Sequence, residues 1–123
     1  MTFEEFDDFQ DNLHKEIVVL MASKGAEYAH GSRFENFETE ARELGVDPLL
    51  VAFIFFNKHY RAIRYYVKHG RLESTETIGS RFLDAIAYLE LMAGMAAKRE
   101  AQKELDAEEL KFSKGIYLNG NAS

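Results

Sequence analysis

Two stretches of the chain decide its fold: Lys58-His59-Tyr60-Arg61-Ala62-Ile63-Arg64-Tyr65-Tyr66 and Arg81-Phe82-Leu83-Asp84-Ala85-Ile86-Ala87-Tyr88-Leu89. Both are predicted to be helical, and both place polar side chains at positions where burying an apolar side chain would cost less free energy. Asp84 is the only charged residue from Phe82 to Leu89, and apolar side chains occupy almost every direction around that helix. A helix that is apolar all round is a buried helix, so Asp84 is predicted to be enclosed.

An enclosed carboxylate needs a cation or several hydrogen-bond donors, or it takes up a proton. The first stretch offers Lys58, His59 and Arg61 as partners for Asp84. Two interpretations stay open. One is a structural ion pair between two packed helices, and the other is a functional site between them.

The composition indicates a single ordinary domain. The chain has 123 residues, 46% of them apolar and 29% charged, with one proline and no cysteine. The missing cysteines exclude disulfides and thiolate metal sites and agree with a reducing, cytoplasmic location. The acidic start does not have the basic and apolar segments of a secretory signal. The longest apolar run, residues 49–56, is too short to cross a bilayer, so no membrane partner is expected.

The charge is uneven along the chain. A net charge of −6 argues against binding extended nucleic acid, which relies on many Lys and Arg side chains. Residues 58–71 nevertheless carry five cations and no acid. A local basic run on an acidic protein suits a small anionic ligand or an acidic partner surface.

The periodicity and the helix-end signals predict an all-α fold, a bundle of four to five helices with a long C-terminal helix. Residues 1–112 are expected to form one helical domain, and residues 113–123 a poorly ordered tail. Four helix starts are predicted, at a capping box of Thr2 with Glu5, near Phe34, at the N-cap Asp47, and at Ser74-Thr75-Glu76. The second and third helices are expected to end at Gly45 and Gly70.

The third helix has two chemically different sides when its residues are placed about 100° apart. The first side, called here the α3 basic face, carries Lys58, Arg61, Arg64 and Lys68. The opposite side carries His59, Ala62, Ile63 and Tyr66. A solvated charged face and a hydrogen-bonded core histidine are the ordinary interpretations of these patterns. Their coincidence with Asp84 and Arg81 in the next helix favours a site.

A second group of polar residues lies between the first two helices. It consists of Lys24, Glu27, Tyr28, Arg33 and Asn36. Together these supply cations, a carboxylate, a phenol and an amide, and the start of the second helix adds free N–H groups that favour anions. The set is suited to holding a polar small molecule.

No metal site is predicted. The carboxylate pairs Glu35/Glu38 and Glu40/Glu43 have helical spacing but lie on the polar side of a short helix. Asp84 has no acidic neighbour one turn before or after it. The chain has no pair of histidines spaced for zinc and no phosphate-binding glycine loop. No cofactor is named by any pattern.

Four motifs resemble those of small helical phage and prophage proteins: Lys24-x-x-Glu27-Tyr28, Arg33-Phe34-x-Asn36-Phe37, Lys58-His59-x-x-Ala62-Ile63 and Arg81-x-x-Asp84-Ala85-Ile86-x-Tyr88-Leu89. Those proteins belong to the nucleotide-modification-associated domain type and are loosely MazG-like. The resemblance covers roughly residues 10 to 95. It implies a phage origin and a link to nucleotides.

Three hypotheses follow. The first is a nucleotide-binding phage protein, acting in nucleotide metabolism or modification if it is an enzyme. The second is a non-catalytic counter-defence binder that sequesters a nucleotide signal or blocks a host protein. The third is a helical assembly protein that uses its basic face only for docking. Magnesium-dependent turnover of a nucleotide would separate the first from the second.

The first hypothesis gives each residue a role. His59 and Asp84 are the candidate catalytic pair. Stacking on a base is expected from Tyr28, Phe37 or Tyr66. The remaining ligand contacts are expected from Lys24, Glu27, Arg33, Asn36, Lys58, Arg61 and Arg81. A homo-oligomer, most simply a dimer, is also expected, because residues 49–56 and 82–95 carry more apolar surface than one small core encloses.

Overall fold

The computed structural model describes the backbone of residues 1–25 and 34–122, and the side chains of residues 1–23 and 34–115. These residues form four α-helices and no strand: α1 (Phe3–Gly25), α2 (Glu35–Leu44), α3 (Pro48–His69) and α4 (Ile78–Ala122). The prediction of an all-α bundle with a long C-terminal helix is therefore confirmed.

Helix α1 begins with the predicted capping box. The Thr2 N–H donates to Glu5 Oε2 at 2.9 Å, and the Glu5 N–H donates to Thr2 Oγ1 at 3.1 Å. These two bonds satisfy backbone donors that the first turn of a helix leaves free. On the apolar face of α1, Ile17 is buried, whereas Phe6 and Phe9 near the start remain exposed.

The ends of α2 and α3 follow their sequence signals. Gly45 and Gly70 adopt left-handed conformations, with φ of 68° and 74°, which glycine reaches without a steric cost. Between the two helices, Asp47 caps α3 by accepting the Leu49 N–H at 2.8 Å, with Pro48 at the first helical position. These caps fix both ends of the helix that carries the basic face.

Helix α4 begins later than predicted. The start is predicted at Ser74-Thr75-Glu76, but the helix starts at Ile78, and the Ser80 N–H donates to Thr77 Oγ1 at 3.1 Å. Thr77 is therefore the N-cap, and residues 71–77 form a non-helical connection. This connection, called here the α3–α4 loop, takes part in the site described below.

An aromatic cluster joins α2, α3 and the beginning of α4. The ring of Phe37 lies 6.2 Å from those of Phe55 and Tyr88, and Phe55 and Tyr88 are themselves 6.2 Å apart. His59 stacks on Tyr88 with a centroid distance of 5.4 Å. The cluster thus fixes His59 against α4. It also corrects the expectation that Phe37 stacks on a ligand, because Phe37 is 5% exposed and belongs to the core.

Two sequence expectations about burial are wrong. Helix α4 is not buried all round, since Phe82 and Leu89 are exposed on its surface. Asp84 is only partly enclosed, with 28% of its side chain exposed. The most enclosed charged residue among those described is Arg81, one turn earlier and 9% exposed.

The chain divides into two compact units, Met1–Met92 and Ala93–Ser123. The first contains the aromatic cluster and the site. The second consists of the later part of α4, where Glu100 binds Lys103 at 3.1 Å and Gln102 binds Asp106 at 3.0 Å. Helix α4 continues to Ala122, so it includes the segment for which a tail is expected, and the order of that segment stays a prediction. None of the described helices combines the length and apolar character needed to cross a membrane.

Candidate functional site: a basic cleft beside α3

A cleft of about 760 Å³ lies between α3, the α3–α4 loop and the first turn of α4, within the first compact unit. Its charged lining residues are Lys58, Arg61, Arg81 and Glu73. The rest of the described lining consists of Ile54, Asn57, Ala62, Tyr65, Leu72 and Ser74. Three cations facing one carboxylate make the cleft locally basic on a protein whose net charge is negative.

Helical geometry explains why α3 supplies most of the lining. Residues 54, 58, 61 and 65 recur at spacings of three and four, so they lie on one face of the helix. Ala62, which the helical wheel assigned to the opposite side, also lines the cleft. Lys58 and Arg61 belong to the α3 basic face and are exposed. Arg64 and Lys68, the other members of that face, are exposed but do not line the cleft.

Arg81 supplies the enclosed cation of the cleft. Its Nη1 lies 3.3 Å from His59 Nδ1, and its Nε lies 2.7 Å from Glu76 Oε2. The Nε atom is buried and makes no hydrogen bond within the described chain, so its short contact with Glu76 is a misaligned ion pair. Distance alone does not make a hydrogen bond, because the N–H must also point at the acceptor.

His59 lies behind Arg81 and beside Asp84. A guanidinium group only donates, so the contact with Arg81 requires His59 Nδ1 to accept and to carry no proton. The same Nδ1 lies 3.9 Å from Asp84 Oδ2. At this distance the two side chains form an ion pair if the imidazole is protonated. The contact with Arg81 thus requires Nδ1 without a proton, whereas a proton on Nδ1 favours the contact with Asp84.

Tyr65 is the aromatic residue of the cleft. Its ring lies 4.2 Å from that of His69, and the Arg71 guanidinium lies 5.9 Å from its centroid. The contact with Arg71 has the geometry of a cation–π interaction. Both neighbours come from the end of α3 and the residues after it, so the local chain holds the ring in place.

The structure brings together some of the predicted residues. Lys58, Arg61 and Arg81 meet in the cleft, with His59 and Asp84 adjacent to Arg81. Four other predicted contacts lie outside the residues whose side chains are described: Lys24, Glu27, Tyr28 and Arg33.

Two predicted ligand residues are placed elsewhere. Asn36 is exposed on α2, and Tyr66 is half-buried on α3, and neither is among the described residues lining the cleft. The start of α2 also carries Glu35 and Glu38 in its first turn. Their negative charges already complement the positive end of the helix, which opposes an anionic ligand there.

Four polar lining residues were not predicted: Asn57, Tyr65, Glu73 and Ser74. Asn57 and Tyr65 could have been found, because on the helical wheel Tyr65 lies between Lys58 and Arg61, and Asn57 lies next to Arg61. Glu73 and Ser74 could not, because their presence depends on how the loop after Gly70 returns to α3. The loop includes both residues because α4 starts at Ile78, four residues later than the sequence signals predict.

No group of three or more His, Cys, Asp or Glu side chains is placed to hold a metal ion within the described parts of the chain. When the chain was compared with protein families, with curated proteins and with solved structures, no match was found.

Proposed function

We propose that the protein binds a nucleotide through its phosphates in the basic cleft beside α3. The observation that carries this proposal is the convergence of Lys58, Arg61 and Arg81 from two helices on one cavity. Arginine forks and lysine ammonium groups are the usual partners of phosphate oxygens. The cavity volume of about 760 Å³ falls within the range of small-molecule sites.

The lining suggests how a nucleotide would be oriented. Lys58 and Arg61 are exposed and would meet the phosphates first, whereas Arg81 is enclosed and would hold them from below. Tyr65 offers an aromatic ring for stacking with a base. Asn57, Glu73 and Ser74 provide donors and acceptors for hydroxyl or amino groups.

The biological setting of the proposal comes from the resemblance of the four sequence motifs. It favours a phage-encoded protein in the host cytoplasm, where nucleotides are abundant, with a role in nucleotide metabolism or modification. Its chemistry would fall to His59 and Asp84. His59 Nδ1 lies 3.9 Å from Asp84 Oδ2 and 3.3 Å from Nη1 of the enclosed Arg81.

A second candidate function is binding without chemistry, as in counter-defence by sequestering a nucleotide signal or blocking a host protein. The observation that favours it is the position of the candidate catalytic pair. His59 and Asp84 are not among the described residues that line the cleft, and Arg81 contacts His59 from the cleft side. A nucleotide that is held but not altered, with or without magnesium, would support this function.

We further propose that the protein is a homo-oligomer. Large apolar side chains remain exposed on α1 and α3 of the first unit, among them Phe6, Phe9, Leu50 and Phe53. An exposed apolar surface commonly marks an interface with another protein chain. Closed two-fold dimers are the commonest way of covering such a surface.

A thermal-shift screen tests the nucleotide proposal first. The ligands are nucleoside triphosphates, cyclic dinucleotides, ADP-ribose and inorganic pyrophosphate, each with and without magnesium. At least one phosphate-bearing compound should raise the melting temperature, because a ligand that binds only the folded state stabilises it. No shift with any of them would favour the assembly-protein hypothesis.

A pair of arginine variants then tests the location. Arg61→Ala should weaken binding at least about tenfold, which is about 1.4 kcal/mol. Arg64→Ala is the matched control, since Arg64 is also an exposed α3 cation but does not line the cleft. It should bind as the parent does. Equal losses in both variants would indicate a diffuse charge effect, and no loss in Arg61→Ala would refute the site.

A further inference from the structure

Besides Glu73, the α3–α4 loop carries a second carboxylate, Glu76, which contacts the enclosed arginine of the cleft. Glu76 Oε2 lies 2.7 Å from Arg81 Nε, although Glu76 itself is 53% exposed. Arg81 therefore already has an anion from the chain itself, the Glu76 carboxylate, beside its guanidinium.

The contact between Glu76 and Arg81 is an incomplete one. Arg–carboxylate pairs are strongest when two parallel N–H groups point at two oxygens. Here the buried Nε–H makes no hydrogen bond within the described chain despite the short distance. A buried donor without an acceptor costs free energy, so an anion placed in line with Nε would bind Arg81 better than Glu76 does.

The loop can release Glu76 without dismantling the fold. Glu76 precedes the N-cap Thr77, whose bonds to Ser80 hold the start of α4 without using the glutamate side chain. The Glu76 backbone N–H donates to Ser74 Oγ at 3.4 Å, which is long for a hydrogen bond. Because about half of the Glu76 side chain is already exposed, its displacement into solvent only completes its hydration and carries no desolvation cost.

We propose that Glu76 is a built-in competitor for the anion site, which pairs with Arg81 when the cleft is empty and is displaced when a phosphate group binds. This inference rests on the proposed nucleotide site and adds its regulation. The carboxylate lowers the affinity for every anion. It also favours polyphosphates over singly charged ions, since only a more highly charged group outcompetes a tethered carboxylate.

Removing the charge of Glu76 tests the proposal. Glu76→Gln keeps the size of the side chain, and calorimetric titration with ATP and with inorganic pyrophosphate should show binding at least about fivefold tighter than in the parent. Glu43→Gln is the control, because Glu43 is an exposed acid of α2 that does not line the cleft. It should bind within about twofold of the parent.

Glu76→Asp separates direct contact from net charge. The shorter side chain keeps the charge but shortens the reach to Arg81, so binding should again be tighter than in the parent, by at least about twofold. If Glu76→Asp binds like the parent, only net charge matters, and the proposal is overturned.

The remaining outcomes distinguish this inference from the proposed function. If the parent binds ATP but Glu76→Gln binds equally or more weakly, Glu76 positions Arg81 for the ligand, and the competitor role is overturned while the nucleotide site stands. If neither the parent nor Glu76→Gln binds ATP or pyrophosphate, both proposals are overturned.

Discussion

The enclosed charged residue of the first turns of α4 is Arg81 and not Asp84. The absence of other charges around Asp84 predicts an enclosed carboxylate, yet Asp84 is 28% exposed and Arg81 is 9% exposed. Glu76 of the α3–α4 loop lies beside Arg81, at 2.7 Å from its Nε. Periodicity within a helix carries no information on what a neighbouring loop covers.

Because Asp84 is partly exposed, replacing it should lower the free energy of unfolding only moderately. Asp84→Ala should lower the free energy of unfolding by roughly 1–2 kcal/mol, because solvent screens its contact with His59. A fully buried pair would lose roughly 3–5 kcal/mol. Urea unfolding of the parent and the variant at pH 7 measures the difference.

Asp84→Asn is the control for shape in that experiment. It keeps the size of the side chain and should cost less than Asp84→Ala. A loss above roughly 3 kcal/mol in either variant would restore the sequence-based expectation of an enclosed charge and contradict the exposure seen here.

At the scale of the elements, caps with a single dominant signal were predicted correctly. Asp47 with Pro48 starts α3, and Gly45 and Gly70 end α2 and α3, because few residues satisfy those backbone positions at low cost. The start of α4 was predicted wrongly. Ser74 and Thr77 are both good N-cap residues, and local sequence does not rank them when tertiary contacts decide.

The choice between those two caps can be measured. Thr77→Ala should cost roughly 1 kcal/mol of stability, because the Ser80 N–H loses its acceptor at the start of α4. Ser74→Ala, which changes the first residue of the predicted start, should stay within about 0.5 kcal/mol of the parent. Urea denaturation followed by circular dichroism compares them. A larger loss in Ser74→Ala than in Thr77→Ala would contradict the observed start of the helix.

Only the part of the candidate site that lies on a single helix could be grouped from the sequence. Lys58 and Arg61 lie on one helix, so their shared face follows from the 3.6-residue period. Arg81 joins them only through the packing of α4 beside α3, and Glu73 only through the path of the loop. Residues that share a helix can be grouped from sequence, whereas a grouping across elements requires the tertiary structure.

At the scale of the whole molecule, the exposed apolar residues of the first unit lead to a prediction of mass. The chain has a mass of 14.1 kDa, and light scattering at micromolar concentrations should give a multiple of this value, most simply twice. The mass should fall toward that of one chain on dilution if the interface is weak. A single-chain mass throughout the micromolar range would contradict the oligomer.

The central claim is that the cleft beside α3 is the phosphate-binding site, and a nuclear magnetic resonance titration tests it most directly. Backbone amide and arginine Nε–H signals are followed while ATP is added, with inorganic pyrophosphate as the ligand without a base. The amide signals expected to shift are those of residues 54–65, 72–76 and 81, together with the Nε–H signals of Arg61 and Arg81. The side-chain Nε–H signal of Arg64 and the backbone amides of residues 35–44 in α2 serve as internal references and should stay in place. Shifts concentrated on α2, or signals unchanged at millimolar ligand, would contradict the account.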